Sequence, residues 1–179
     1  MKTVFFDIDS QLDFLYPAGA LYVPRAERIV PAIARLNRFA AAHGIPVVST
    51  VDAHAENDPE FSVWPPHCIA GTWGQRKAAA TLLDGTSQIV VEKQTVDVFL
   101  APDFVREVER LNADRYVVYG VVTEICVLSA VRGLLKTGKP VTVVTDAVAA
   151  LTAEASARAL EEVRAGGGTL ATVSEVCLI

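Results

Sequence analysis

The chain has 179 residues, 51% of them hydrophobic, which one domain with a substantial core accounts for. A formal charge of −5 and the lack of any basic cluster argue against a nucleic-acid partner, and no run approaches the roughly 18 apolar residues of a membrane span. Three cysteines without CxxC spacing suggest no disulfide framework, so a reduced, cytoplasmic protein is expected.

Thr3 to Ile8 reads as a first strand rather than a signal peptide, and closes on Asp9-Ser10-Gln11-Leu12-Asp13-Phe14. A Gly- and Pro-rich loop, Tyr16 to Pro24, leads to an amphipathic helix over Glu27 to Ala42, with Ile29, Val30, Ile33, Leu36 and Phe39 on one face. Ile45 to Val51 is a second strand, ending on Asp52-Ala53-His54. The irregular stretch from Ala55 to about Trp73 holds Trp64-Pro65-Pro66-His67-Cys68, and loops of that length are more often functional than idle. Gln88 to Glu92 is a strand ending at Lys93, and Pro102 to Leu111 a helix. Tyr116 to Tyr119 is a buried strand broken by Gly120, after which Thr123 is the expected N-cap of a helix over Glu124 to Lys136. Pro140 to Thr145 (a strand), Ala153 to Arg164 (a helix) and Thr169 to Val173 (a strand) complete the chain. The alternation predicts an α/β fold: one doubly wound domain over residues 1–179, with a mostly parallel six-stranded sheet and helices on both faces.

Asp9, Asp52 with His54, Lys93 and the Gly120–Cys126 turn all fall at or just past the C-terminal ends of predicted strands. In a parallel sheet those ends share one edge, where ligands bind. Cys126 lies in the first turn of its predicted helix, where free N–H groups and the helix dipole favour a thiolate nucleophile and the amides of the turn can hold an oxyanion. Position alone is equally compatible with a buried structural cysteine. Asp9, behind the apolar Val4-Phe5-Phe6, is a candidate base, and Lys93 a candidate electrostatic partner; a plain Asp9–Lys93 salt bridge is the simpler reading. Asp52 and His54, two residues apart on an extended segment, are with His67 candidates for a three-ligand divalent-metal site; an Asp52–His54 hydrogen bond with His67 solvated is the simpler reading.

These segments, in this order, resemble the isochorismatase-like cysteine hydrolases, and within them the nicotinamidases. Asp9-Ser10-Gln11-Leu12-Asp13-Phe14 is similar to the family's D-x-Q-x-D-F, Asp52-Ala53-His54 and Trp64-Pro65-Pro66-His67-Cys68 to the nicotinamidase metal segments, and Gly120 to Val127 to the nucleophile turn. The resemblance implies an Asp9–Lys93–Cys126 triad that converts a carboxamide to acid and ammonia through a thioester. It further implies an oxyanion hole from the N–H groups of Val122 and Cys126, and a cis peptide at Val121–Val122. Asp52, His54 and His67 would hold zinc, or iron or manganese, and Phe14 and Trp64 would flank the substrate ring. Nicotinamide is the implied substrate, and the family's habit of forming dimers implies a homo-oligomer. Two departures stand out: only Asn57, Asp58 and Glu60 occupy the stretch where some nicotinamidases carry a further histidine, and Gln94 to Phe99 replaces a glycine- and tyrosine-rich loop. Three other readings stay open at this point. The triad could act on another small amide, ureide or carbamoyl compound; a metal-bound water could attack with Cys126 as packing; or the fold could serve binding without catalysis.

Overall fold

The computed structural model describes residues 1–85 and 88–178. Strands β1 (Thr3–Ile8), β2 (Val47–Asp52), β3 (Gln88–Lys93), β4 (Arg115–Val121), β5 (Val141–Ala149) and β6 (Thr169–Ala171) form one sheet in the order β3-β2-β1-β4-β5-β6. Every neighbouring pair is parallel. The doubly wound α/β expectation holds.

The helices are α1 (Leu12–Leu15), α2 (Val30–Ala42), α3 (Pro102–Leu111), α4 (Leu128–Leu135), α5 (Ala153–Ala165) and α6 (Val173–Val176). Adjacent residues of β1 point to opposite faces. Phe5 stacks on Phe39 of α2 while Phe6 meets Phe104 of α3, so these two helices cover opposite faces of the sheet. All six residues of β1 and of β2 are buried, as expected of strands covered on both sides.

The element ends depart from expectation for identifiable reasons. The helix expected from Glu27 divides into a 3₁₀ turn (Ala26–Ile29) and α2, because Pro31 has no N–H to give the Glu27 carbonyl. β4 does not stop before Gly120 but runs on to Val121. Gly120 takes φ 120°, and a Cβ there would sit 2.0 Å from the Ile8 carbonyl oxygen, so only glycine lets β4 lie this close to the end of β1. β5 continues past Asp146 to Ala149, because its pairing resumes after an irregularity as Gly120↔Val148 and Val121↔Ala149. β6 ends early, where Thr172 and Glu175 form a capping box that starts α6.

Candidate active site

The strand order reverses between β1 and β4, and crevices at such switch points are where doubly wound sheets bind ligands. Asp9 follows β1, Cys126 follows β4, and Asp52 and Lys93 end β2 and β3, so four neighbouring strands deliver these side chains to one place. Asp9 itself has a left-handed backbone (φ 50°), costly for a non-glycine residue and supported by Thr50, whose hydroxyl donates to Asp9 Oδ1 at 2.6 Å.

Lys93 is the centre of the cluster. Its Nζ lies 2.9 Å from Asp9 Oδ2, in direct contact with Asp52 Oδ1, and 3.9 Å from Cys126 Sγ. Asp9 Oδ2 takes no well-aligned hydrogen bond, which leaves it a free acceptor position. The simple Asp9–Lys93 salt bridge is present, but as part of a buried group in which one ammonium faces two carboxylates and a thiol.

The electrostatics follow from burial. Desolvation raises the Asp9 carboxyl above its usual range, with Lys93 opposing and Asp52 adding to the rise. Burial works in the same direction on Asp52, but Lys93 and His54 prevail and hold it low. Burial opposes the charge on Lys93, yet the surrounding anions keep it an ammonium. Desolvation also pushes the Cys126 thiol well up, against the attraction of Lys93. This corrects the expectation of a thiolate stabilised at a helix start. Cys126 lies in a π turn (Thr123–Val127) ahead of α4, not in the first turn of an α-helix, and it is buried. Thr123 does not cap: Val122 occupies that position without a side-chain bond, and the Val122 carbonyl takes the N–H groups of Ile125 and Val127 at 3.0 and 3.1 Å. The peptide Val121–Val122 is cis.

Asp52, His54 and His67 form the cluster expected of them. One donor atom from each lies within 4.8 Å of the others, and Asp52 Oδ2 is 3.9 Å from Nε2 of both histidines. His54 Nδ1 is 3.0 Å from Asp58 Oδ2 and His67 Nδ1 is 2.7 Å from the Pro65 carbonyl. Both acceptors require Nδ1–H, which turns the Nε2 lone pairs toward Asp52, the orientation that metal-ligating histidines adopt. His54 Nε2 is buried with no hydrogen-bond partner. The residues therefore fit a divalent ion, and two imidazoles with one carboxylate suit zinc, iron or manganese.

In the metal-free protein burial opposes protonation of His54, but Asp52 and Asp58 outweigh it and push its pKa up to about 9. A metal must displace that proton. Zinc affinity is accordingly expected to rise by about tenfold per pH unit from pH 6 to 8 and to level off above about pH 9, as measured by competition with a chelator. A flat profile across that range would show that zinc displaces no proton from His54.

Between the two clusters lies a half-open cleft with about 440 Å³ of empty space, lined by Asp9, Asp52, Glu60, His67 and Cys126 on its polar side and otherwise by apolar side chains. Phe14 and Trp64 both line it, with the Phe14 ring 5.4 Å from that of His67. Val121 and Val122 form the wall beside Cys126, and Val96, from the segment after Lys93, contributes another wall. Asp58 and Glu60, which carry no motif of their own, also belong to the site. Asp58 backs His54 four residues away, a spacing that could have pointed to it, and Glu60 lines the cleft with its carboxyl raised by burial and by Asp52. Cys68 is buried, its thiol pushed up by desolvation, and it takes no place in the metal cluster.

Comparison with known proteins places this geometry. The Isochorismatase domain family matches residues 3–175. The nicotinamidase of Escherichia coli strain K12 is 26% identical over 94% of this chain and 93% of its own length. The crystal structure of a pyrazinamidase of Pyrococcus horikoshii in complex with zinc superposes with a TM-score of 0.89 at 28% identity, covering 96% of this chain and 99% of that one. N-carbamoylsarcosine amidase from Thermoplasma acidophilum gives a TM-score of 0.85 at 25% identity, with 97% of each chain covered. With the family match running through all six strands and every residue of the cleft, this chain belongs to the isochorismatase family of hydrolases.

Proposed function

We propose that this hydrolase is a metal-containing cysteine amidohydrolase that converts a small, uncharged carboxamide, nicotinamide first among them, to the acid and ammonia. The observation that carries the reading is the contact of Lys93 with Asp9, Cys126 and the metal-site carboxylate Asp52 at one end of a largely apolar cleft.

In this reaction Asp9 accepts the Cys126 proton as Sγ attacks the carboxamide carbon. Its raised pKa suits a group that must take up a proton, and the Lys93 ammonium 3.9 Å from Sγ lowers the cost of the developing thiolate. The N–H groups of Val122 and Cys126 hold the oxyanion. Asp9 then returns its proton to the departing nitrogen, ammonia leaves, and a thioester to Cys126 remains. Asp9 next takes a proton from water as the hydroxyl adds to the thioester; collapse expels Sγ, which regains the proton, and frees the acid. A divalent ion held by Asp52, His54 and His67 would supply a Lewis-acidic contact for a ring nitrogen. Phe14 and Trp64 would sandwich the ring, and the two remote contacts together fix the amide against Sγ.

The cleft also argues between substrates. Among its described lining residues the acids are Asp9, Asp52 and Glu60, and none is a lysine or arginine. A carbamoyl compound that carries its own carboxylate would be repelled there, whereas a neutral aromatic amide would not. The test is ammonia release from nicotinamide by protein stripped of metal and then reloaded. Stripping is expected to lower the rate at least tenfold and zinc to restore it. A zinc-loaded protein that releases ammonia from N-carbamoyl acids and not from nicotinamide would refute the substrate assignment.

A further inference from the structure

The segment Asp9-Ser10-Gln11-Leu12-Asp13-Phe14 supplies a base and a cleft wall, which leaves two of its buried polar side chains, Gln11 and Asp13, without a part in the chemistry. Neither touches the cleft, yet both reach the backbone of the metal-ligand segments.

The Gln11 side chain is fully buried and makes three bonds. Its Nε2 donates to the carbonyls of Asp52 (2.8 Å) and Gln75 (2.7 Å), and its Oε1 accepts from Asp52 N–H at 2.7 Å. The carboxamide thus grips both backbone groups of Asp52, as an adjoining strand would, at the point where β1 has already turned away through the left-handed Asp9. That fixes the residue whose carboxylate faces His54 and His67.

Asp13 works on the other two ligands. Its Oδ2 accepts from Cys68 N–H at 2.7 Å and its Oδ1 from Ala20 N–H at 2.9 Å. Cys68 has a left-handed backbone (φ 44°), which a non-glycine residue adopts only when its surroundings impose it. It directly follows His67, and its carbonyl accepts the His54 N–H at 3.1 Å. One carboxylate therefore holds the residue that joins both histidines. Gly74 makes room for it: a Cβ there would lie 2.2 Å from each Asp13 carboxylate oxygen.

We propose that Gln11 and Asp13 are positioning residues that set the metal affinity of the Asp52–His54–His67 cluster, through the backbone of Asp52 and of Cys68. This rests on the metal-site reading above. Groups that orient ligands without touching the metal are typically worth about 10- to 100-fold in metal affinity.

The test measures zinc dissociation constants by chelator competition at pH 8 for the wild type, Gln11→Met, Asp13→Asn and Gly74→Ala. Circular dichroism melting of the metal-free proteins runs alongside. Asp13→Asn keeps an acceptor for one of the two N–H groups, and Gly74→Ala leaves Asp13 in place but forces its carboxylate to move, so the test survives if Gln11→Met does not fold. Ile33→Val, in the core under α2, is the control for stability loss alone. The expected result is zinc binding weakened about 10- to 100-fold in the site variants and unchanged in Ile33→Val. Site variants that melt lower but bind zinc as the wild type does would overturn this inference alone. A wild type that binds no zinc would overturn the metal site, and this inference with it.

Discussion

Cys126→Ala is expected to lower amide hydrolysis by at least about 10³-fold while leaving a folded protein that still binds zinc. Sγ lines the cleft with the Lys93 ammonium 3.9 Å away, and the neighbouring Asp9 Oδ2 retains a free acceptor position for the thiol proton. Because burial keeps the resting thiol protonated, the proposed attack moves its proton to Asp9, whose raised pKa suits it to take the proton up. The substitution removes a single sulfur from a residue 8% exposed, a loss of about 1 kcal/mol or less, so the fold should survive. Wild-type protein turning over nicotinamide in hydroxylamine should divert part of the acyl group to the hydroxamate, since a thioester is open to attack by a second nucleophile. The competing mechanism, attack by metal-bound water with Cys126 as packing, predicts near-normal turnover by Cys126→Ala and no dependence of the hydroxamate on the cysteine. The two outcomes do not overlap.

The parts of this site that were legible in the sequence share one property: each is a polar or reactive residue at the end of an apolar run. Asp9, Asp52 and Lys93 could be placed on one sheet edge because Val4–Ile8, Val47–Val51 and Ile89–Val91 announce their strands. The strand order was not legible, since it depends on which faces pack, and with it went the fact that Lys93 contacts Asp52 as well as Asp9. The protonation state of Cys126 was misread for a related reason. A sequence shows that a cysteine follows a turn, but desolvation depends on what the rest of the chain lays over it. Asp7 is a further instance. It sits mid-strand in a run that should be apolar, and only the structure shows it paired with Lys77 at 2.8 Å and bonded by Asn37 of α2, 30 residues away. Gln11 and Asp13 were visible as motif letters, but their work is on backbone groups 41 and 55 residues distant, which leaves no local signature.

Lys93→Met should separate the structural and chemical uses of the one cation that joins the two clusters. In the metal-free protein the variant leaves the buried Asp9 carboxylate without its counter-charge and Asp52 with only the His54 imidazolium, and breaking a buried ion pair on one side costs about 3–5 kcal/mol. For a chain of this size that is a fall in melting temperature of roughly 6–20 °C. The loss should shrink as the pH is lowered. An unpaired buried carboxyl has a folded-state pKa above its unfolded value, so its destabilising effect is full above the folded pKa and vanishes once the pH falls below the unfolded one, near 4. Zinc should also restore part of the melting temperature, because it places positive charge against Asp52. It should not restore turnover, since nothing then lowers the cost of the thiolate at Cys126, and a deficit of at least about 10²-fold is expected to persist with metal in excess. Recovery of both stability and rate on adding zinc would mean that Lys93 serves only as a counter-charge for Asp52, and that Asp9 and Cys126 carry the chemistry between them.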